Sequence, residues 1–214
     1  GKAILRAAGW LTRFICKLLF CLMKRLITIL IFTGLLQPLW ALRVGELAPE
    51  FKLKDLDGEV HSLSRYKGHT IVLEWVNLEC PFVQKHYTSG HMQGLQKTYT
   101  GKGILWFGIR TGKVSLKKLR ESLKQLDISS SALLLDSSGE VARKFSARAT
   151  PHIFVIGANG RVLYSGAVDD KPTPDPATLV GARNYIAEAL DAILSGRKIT
   201  VSATRPYGCG IKLE

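Results

Sequence analysis

The chain has 214 residues, a hydrophobic fraction of 46% and a formal net charge of +13. This length and composition predict one compact globular domain of about 150 residues with additional segments. The charge does not indicate a nucleic-acid-binding protein, because residues 1–41 hold six basic residues and no acidic ones, which leaves 24 basic against 17 acidic residues in the rest. The densest basic stretch of that remainder, residues 117–124, falls on a predicted surface helix, and no nucleic-acid partner is expected.

Residues 1–41 are predicted to be an N-terminal extension that ends in a signal peptide. From residue 23 onward, Lys24 and Arg25 precede an apolar run of eleven residues over positions 26–36, and a small residue closes the segment. This order is typical of a secretory signal over residues 23–41. The apolar run is shorter than the roughly 20 residues that a membrane-spanning helix needs. We therefore expect a periplasmic or secreted protein, with a membrane anchor as the alternative if the segment is retained.

Two of the four cysteines matter for the mature chain. Cys16 and Cys21 belong to the segment that is expected to be removed, so Cys80 and Cys209 remain. Two thiols in an oxidising compartment outside the cytoplasm can form a disulfide. The sequence contains no Cys-x-x-Cys spacing, which argues against a structural zinc site. No metal and no other cofactor is expected.

The chain from residue 42 to residue 196 is predicted to be an α/β domain, because strand-like apolar runs alternate with helical patterns. It opens with a small hairpin that turns at residues 55–58, an Asp-x-Asp-Gly sequence without the further ligands of a calcium loop. The predicted strands cover residues 70–76, 104–109, 132–135, 152–156 and 161–164. The predicted helices cover residues 81–99, 115–126, 140–145 and 177–194. Residues 197–214 are predicted to be a polar, loop-like tail that carries Cys209.

Cys80 follows a predicted buried strand and begins a helix, a position that favours a reactive thiolate. Pro81 suits the first helical position, because its missing N–H would have no partner within the helix. The unpaired N–H groups and the positive dipole end at a helix N-terminus stabilise a thiolate, which is the nucleophilic form of cysteine. A carboxylate at Glu79 would oppose this effect by raising the pKa of the thiol. The alternative is an inert buried cysteine.

Two stretches resemble the landmarks of thioredoxin-like redoxin proteins of the AhpC/TSA, or peroxiredoxin-like, type. Residues 73–83 resemble the passage from strand to active site, and Thr150-Pro151 resembles the pair whose proline is normally cis and packs opposite the reactive cysteine. The resemblance extends from about residue 44 to about residue 194 and implies a thioredoxin-like fold, with a central mixed β-sheet flanked by helices. The substrate-positioning residues taken from it are Thr150, Pro151, Glu79 and Asn77.

The chain departs from this family pattern at positions that bear on the chemistry. Where thioredoxins carry the second cysteine of Cys-x-x-Cys, this chain has Val83, so a local dithiol cycle is excluded. Where peroxiredoxins carry Thr or Ser three residues before the reactive cysteine, this chain has Asn77. Thr150-Pro151 also occupies the region expected to supply an arginine. Arg148 and Arg205 are candidates for that positive group, although each is more typical of a surface residue.

Cys209 is the candidate partner of Cys80. The ending over residues 204–209 resembles that of a bacterial redoxin group, and the flanking Gly208 and Gly210 give the tail the freedom to reach Cys80. In the implied cycle, the Cys80 thiolate attacks a peroxide or a disulfide, and Cys209 then displaces the product to form an intramolecular disulfide. The alternatives are a permanent structural disulfide that holds the tail and an intermolecular disulfide in a dimer.

The other titratable residues are expected to have structural roles. His86 lies six residues beyond the reactive cysteine and faces another side of the helix, where a surface or capping role is expected. His152 follows Pro151, and strand alternation is expected to turn its side chain away from the cysteine. Asp169 and Asp170 precede a proline-rich loop and are expected to be solvated.

The sequence thus supports two hypotheses of different classes. The first is a thiol-dependent oxidoreductase outside the cytoplasm, with Cys80 as nucleophile, Cys209 as resolving cysteine, a small peroxide or a protein disulfide as substrate, and an external thiol as reductant. The second is a non-enzymatic thioredoxin-fold module with a structural disulfide that binds a partner along the Thr150-Pro151 edge. The oligomeric state is not indicated by the sequence.

Overall fold

The structure, a computed structural model, describes residues 42–128 and 130–213. The predicted signal peptide over residues 23–41 lies outside the described residues, as do Cys16 and Cys21, and its assignment stays a prediction. None of the helices in the described ranges combines the length and the apolar character that a membrane crossing requires.

The described residues form one large and one small β-sheet. The strands are β1 (Lys52–Asp55), β2 (Val60–Ser62), β3 (Ile71–Trp75), β4 (Leu105–Thr111), β5 (Ala132–Asp136), β6 (Ala149–Thr150), β7 (His152–Ile156), β8 (Val162–Gly166) and β9 (Cys209–Gly210). The large sheet has the order β2-β1-β5-β4-β3-β7-β8, and β6 pairs with β9 in the small one. Strands β3, β4 and β5 run parallel, whereas β1 is antiparallel to β5 and β7 is antiparallel to β3 and β8. The predicted mixed sheet and the N-terminal hairpin of β1 and β2 are confirmed.

Helices cover both faces of the large sheet. They are α1 (Pro81–Thr88), α2 (His91–Thr100), α3 (Leu116–Gln125), α4 (Glu140–Phe145) and α5 (Tyr185–Leu194). One apolar cluster takes residues from α1, α2, α3 and α5, and a second takes residues from α4. Neighbouring side chains of β3 alternate between them, because Val72 belongs to the first cluster and Leu73 to the second. All five residues of β3 are buried, as expected for a central strand covered on both faces.

Two helices differ from their predicted ranges. The helix predicted over residues 81–99 is broken at Gly90, which has φ = +74° and caps the N-terminus of α2. The last helix begins at Tyr185 and not at residue 177, because the Asn184 side chain caps it by accepting from the Ala187 N–H. The preceding apolar residue Val180 is 88% exposed, so the helical pattern over residues 177–184 did not reflect packing against the core.

Candidate active site

The loop after β3 places Cys80 at the N-cap of α1, with Pro81 in the first turn as predicted. The Asn77 carbonyl accepts from the Cys80 N–H at 2.9 Å, and the Asn77 Oδ1 accepts from the Glu79 N–H at 3.2 Å. The Cys80 carbonyl then accepts from the N–H groups of Val83 and Gln84 and starts the helix. These bonds fix the backbone of the turn, so the position of the cysteine is set by local structure. Cys80 itself is only 1% exposed.

The Thr150–Pro151 peptide bond is cis, and it lies against Cys80. The Cys80 Sγ is 3.1 Å from the carbonyl oxygen of Thr150. The structure thus brings Thr150 and Cys80 together although 70 residues separate them. In the reduced protein, a Cys80 S–H can donate to this oxygen, which favours the thiol, whereas the helix N-terminus favours the thiolate. The sulfur therefore lies between two opposing influences.

Cys80 forms a disulfide with Cys209, and the two Cα atoms lie 6.0 Å apart. The sequence predicted a loop-like tail, but the residues at Cys209 form strand β9. In the register of β6 and β9, Thr150 is opposite Cys209 and Ala149 is opposite Gly210. The tail therefore pairs with the backbone of the residue whose carbonyl faces Cys80. The disulfide in the structure is intramolecular and not the intermolecular alternative.

The tail is also anchored before it reaches Cys209. The Thr204 N–H donates to the Ser165 carbonyl at 3.1 Å, along the outer edge of β8. The Thr204 Oγ1 accepts from the Ala167 N–H at 2.8 Å and bonds the Tyr164 hydroxyl at the same distance. The expectation of a freely swinging tail does not fit these contacts. The sequence showed the polar composition of the tail but could not show the residues that bind it.

Gly208 has a packing role as well as conformational freedom. Its φ of +132° is one that residues with a side chain rarely adopt. A Cβ at this position would overlap the carbonyl oxygen of Thr150, whereas a Cβ at Gly210 would meet no atom within 4 Å. Gly208 therefore lets the tail approach Thr150 closely enough for the disulfide to form.

A buried ion pair lies under the tail. The side chains of Lys85 and Asp169 are 0% and 1% exposed, and the Lys85 Nζ is 3.0 Å from the Asp169 Oδ2. The Tyr207 hydroxyl donates to the Asp169 Oδ1, and the Lys85 Nζ donates to the Lys171 carbonyl at 2.7 Å. The prediction that Asp169 is solvated is wrong, because helix α1 carries a buried cation that needs a partner. Asp170 is exposed, as expected.

His86 is buried next to this pair, so the predicted surface or capping role is wrong. Burial, which outweighs the opposing charge of Asp169 and is helped by the nearby His91 and Lys85, lowers the pKa of His86 to about 3. The His86 Nδ1 is 3.1 Å from the His91 Nδ1. The helix face that the sequence assigned to solvent is covered by α2 and by the segment around Asp169, which helical geometry alone cannot show.

The remaining basic candidates do not contact Cys80. The two ring nitrogens of His152 bond other groups, the Arg148 N–H and the Ser165 hydroxyl, each at 3.3 Å. Burial, together with the charge of Arg148, lowers the pKa of His152 to about 3. Arg148 and Arg205 are exposed and border a cavity of about 680 Å³ on the side of the tail that faces Asp170.

Glu79 is exposed, and its carboxylate forms a salt bridge with Lys118. This hydrogen bond, with the charge of Lys118, lowers the pKa of Glu79. The carboxylate is therefore neutralised by a cation from α3, which reduces the effect on the Cys80 sulfur that the sequence predicted. Glu79 and Asn77 instead border a cavity of about 310 Å³ that also reaches Thr150 and Cys209.

Sequence reasoning missed Glu74, which lies in the middle of β3 and is fully buried. Its carboxyl accepts from the Tyr87 hydroxyl and from the Trp106 indole, each at 2.9 Å. Burial raises the pKa of Glu74 to about 7, although bonds from Trp106, Tyr87 and Gln96 act against this shift. A single acidic residue inside an apolar strand was the signal that could have identified it.

One group of residues in the described part of the chain has a spacing that could hold a cation, namely Asp55, Glu59 and His61. The His61 Nε2 is already 2.9 Å from the Asp55 Oδ2, and the Glu59 carboxylate accepts from Arg65 at 2.6 Å. The group lies at the N-terminal hairpin, and among the described residues no contact joins it to the disulfide. We assign it no metal.

Comparison with known proteins gives related families and folds. The AhpC/TSA family matches residues 44–165. A thiol-disulfide oxidoreductase ResA from Geobacillus kaustophilus is 27% identical over 134 residues, which cover 62% of this chain and 74% of that protein. The ResA protein of Bacillus thuringiensis is 24% identical over 122 residues, or 57% of this chain and 68% of that protein.

Solved structures with the same fold include two of interest. A conserved protein of uncharacterised function from Geobacillus kaustophilus has a TM-score of 0.69 at 26% identity and covers 80% of this chain and 93% of its own. The thioredoxin domain of a thiol-disulfide oxidoreductase from Bacteroides vulgatus has a TM-score of 0.51 at 19% identity and covers 65% and 96%. The predicted thioredoxin-like fold is confirmed.

Proposed function

This chain belongs to the AhpC/TSA family, and we propose that it is a thiol–disulfide oxidoreductase that acts outside the cytoplasm through Cys80, with Cys209 as its resolving cysteine. The observation that carries the proposal is the Cys80–Cys209 disulfide itself, between a cysteine at a helix N-cap and a cysteine on the tail. The names of the ResA relatives, which are thiol-disulfide oxidoreductases, support the same reaction class. The predicted signal peptide supports the location.

In the proposed cycle, the reduced protein transfers two electrons to a substrate disulfide. The Cys80 thiolate attacks one sulfur of the substrate, the substrate disulfide breaks, and a mixed disulfide forms between Cys80 and the substrate. The Cys209 thiolate then attacks the Cys80 sulfur and releases the second substrate thiol. The product is the Cys80–Cys209 disulfide, which an external thiol reduces again.

The surroundings of the two sulfurs favour this division of roles. The helix N-terminus stabilises a thiolate at Cys80, both as nucleophile and as leaving group when the disulfide is reduced. The pairing of β6 and β9 returns Cys209 to a position opposite Thr150, next to the Cys80 sulfur. This pre-organised return path makes Cys209 an effective resolving thiol.

Peroxide reduction is the second candidate, because the family resemblance implies it. Both reactions begin with attack by the Cys80 thiolate of the reduced protein, so the burial of Cys80 in the oxidised structure does not distinguish them. Disulfide exchange is placed first because the relatives are named as thiol-disulfide oxidoreductases.

The test compares the reduced protein with a free thiol of similar pKa. Stopped-flow mixing with a model peptide disulfide is expected to give a rate at least about tenfold above that of the free thiol, and parallel mixing with hydrogen peroxide measures the second candidate. Rates no faster than those of the free thiol with both oxidants would rule out the enzyme. Redox titration in glutathione buffers separates the structural alternative, because structural disulfides have potentials below about −300 mV.

A further inference from the structure

We propose that the cavity beside the disulfide, bordered by Asn77, Glu79, Arg110 and Cys209, binds a small thiol that carries carboxylate groups, and that this thiol reduces the disulfide by attack at Cys209. This inference rests on the proposed thiol–disulfide function and names the class of its electron donor. The cavity has a volume of about 310 Å³. Small-molecule sites have volumes of roughly 300–1,000 Å³, so this cavity is large enough for a compact ligand.

The cavity leads to the more accessible sulfur. Cys209 lies on its wall and is partly exposed, whereas Cys80 is buried. Thr150, whose carbonyl faces the Cys80 sulfur, borders the same space. A ligand in the cavity is therefore adjacent to the disulfide and has Cys209 as the nearer target.

The charges around the cavity favour an anion. Arg110, Lys113 and Lys212 line it, and Glu79 is the acidic residue among the described lining residues. The Glu79 carboxylate is already bound by Lys118. Glu79 also interacts electrostatically with Arg110. Because three cationic side chains line the cavity against this one carboxylate, the lining keeps an excess of positive charge. Such a cluster attracts anionic ligands and raises their local concentration.

Arg110 is held in a suitable place to bind a carboxylate. It is partly buried, and its Nη1 donates to the Thr111 carbonyl, which also belongs to the cavity wall. One bond of this kind leaves most of the guanidinium donors available, and a guanidinium binds a carboxylate through two parallel hydrogen bonds. The Arg110 guanidinium thus offers the cavity wall a donor group suited to a carboxylate.

The reaction uses two equivalents of the anionic thiol. The first thiolate attacks the Cys209 sulfur, forms a new disulfide between itself and Cys209, and expels Cys80 as a thiolate at the helix N-terminus. A second thiolate attacks the sulfur of the bound small molecule, releases Cys209 as a thiolate and leaves as the oxidised small-molecule disulfide. Two thiols are oxidised and one protein disulfide is reduced, and the protons exchange with solvent.

The experiment measures reduction of the oxidised full chain by three thiols that differ in charge: 3-mercaptopropionate, neutral 2-mercaptoethanol and cationic cysteamine. Rates are followed by acid quench, alkylation and mass spectrometry, are expressed per thiolate and are divided by the rates for a neutral model disulfide. We expect the normalised rate of 3-mercaptopropionate to exceed that of 2-mercaptoethanol by at least about tenfold, and we expect this ratio of rates to fall as salt is added. We also expect its trapped adduct on Cys209.

Variants identify the groups responsible. Arg110→Gln is expected to lower the ratio of the 3-mercaptopropionate rate to the 2-mercaptoethanol rate by about tenfold, because a charge-assisted bidentate contact is lost. Lys113→Gln, at an exposed position, is expected to lower the same ratio by about threefold. Lys97→Gln on the outer face of α2 removes the same charge elsewhere and is expected to change nothing. Lys113→Gln keeps the test valid if the Arg110 variant fails to fold.

The outcomes separate this inference from the proposed function. Equal normalised rates for the three thiols, or an adduct on Cys80, would overturn the anionic donor while leaving disulfide exchange in place. A disulfide that no thiol reduces faster than the model disulfide would overturn both.

Discussion

The two cysteines share one disulfide, but their surroundings differ. Cys80 is buried at the start of a helix, and its position is fixed by hydrogen bonds within residues 77–84. Cys209 is partly exposed on a tail that is held only by contacts with distant residues such as Thr150 and Ser165. The difference teaches that burial and access are divided between two parts of the molecule: the core holds the Cys80 sulfur at a helix N-terminus, and the docked tail brings the more accessible Cys209 to it.

The largest effect is expected from replacing one of the two cysteines by serine. Cys80→Ser removes the nucleophile and should lower the rate of reduction of a model disulfide by a factor on the order of 10⁴ or more. Cys209→Ser should keep the first step and stop at a mixed disulfide between Cys80 and the substrate. Stopped-flow kinetics with mass spectrometry of the trapped species distinguishes the two. Full activity of the Cys80→Ser variant would show that Cys80 is not the nucleophile.

The second prediction concerns the ion pair that lies between core and tail. Asp169→Asn leaves the buried Lys85 ammonium without its counter-ion and should lower the free energy of unfolding by about 3 kcal/mol. The neighbouring Asp170→Asn is the matched control, because Asp170 is exposed, and should change it by less than about 0.5 kcal/mol. Urea unfolding of the oxidised proteins at pH 7 measures both. Equal effects of the two substitutions would show that the pair does not stabilise the fold.

The third prediction tests the core alone through Glu74. Its carboxyl has an ordinary pKa of 4.5 and a folded pKa of about 7. Below the lower value the group is protonated in both states, and between the two values only the unfolded chain ionises. Stability should therefore fall as pH rises from 4.5 to 7, by about 3 kcal/mol, and stay level above it.

Unfolding of Glu74→Gln over the same pH range is the control for this prediction. The amide cannot ionise, so the contribution of this residue to the pH dependence should disappear while that of all other groups remains. A profile of the variant parallel to that of the natural protein would contradict the assignment.

The smallest of these effects is expected at the tail. Gly208→Ala forces a Cβ against the Thr150 carbonyl at a positive φ, which should weaken docking of the tail by about 2 kcal/mol. The equilibrium between disulfide and dithiol should then shift about thirtyfold towards the dithiol in glutathione buffers. Gly210→Ala, where a Cβ meets open space, should leave it unchanged. If both variants behave alike, the approach of the tail to Thr150 does not control disulfide formation.

What the sequence determined about this protein is local or periodic. Apolar runs that alternate with helical patterns predicted the α/β domain, and turn residues predicted the hairpin. The order of strand, cysteine and proline placed Cys80 at the N-cap of α1, because a residue's neighbours decide these features. The mixed sheet was implied by the family resemblance. The break at Gly90 was missed because an apolar pattern continues across it.

Only the tertiary structure decided which distant groups meet. Asp169, which lies against the buried Lys85 and His86, is more than 80 residues away in the chain, so a helical pattern could not show that their face is covered. The pairing of Cys209 with Thr150, and the cavity that three cationic side chains share with it, likewise depend on the path of the tail. Sequence reasoning could name both cysteines and predict their roles but not how accessible each one is, because burial and access follow from packing between segments and not from the order of residues.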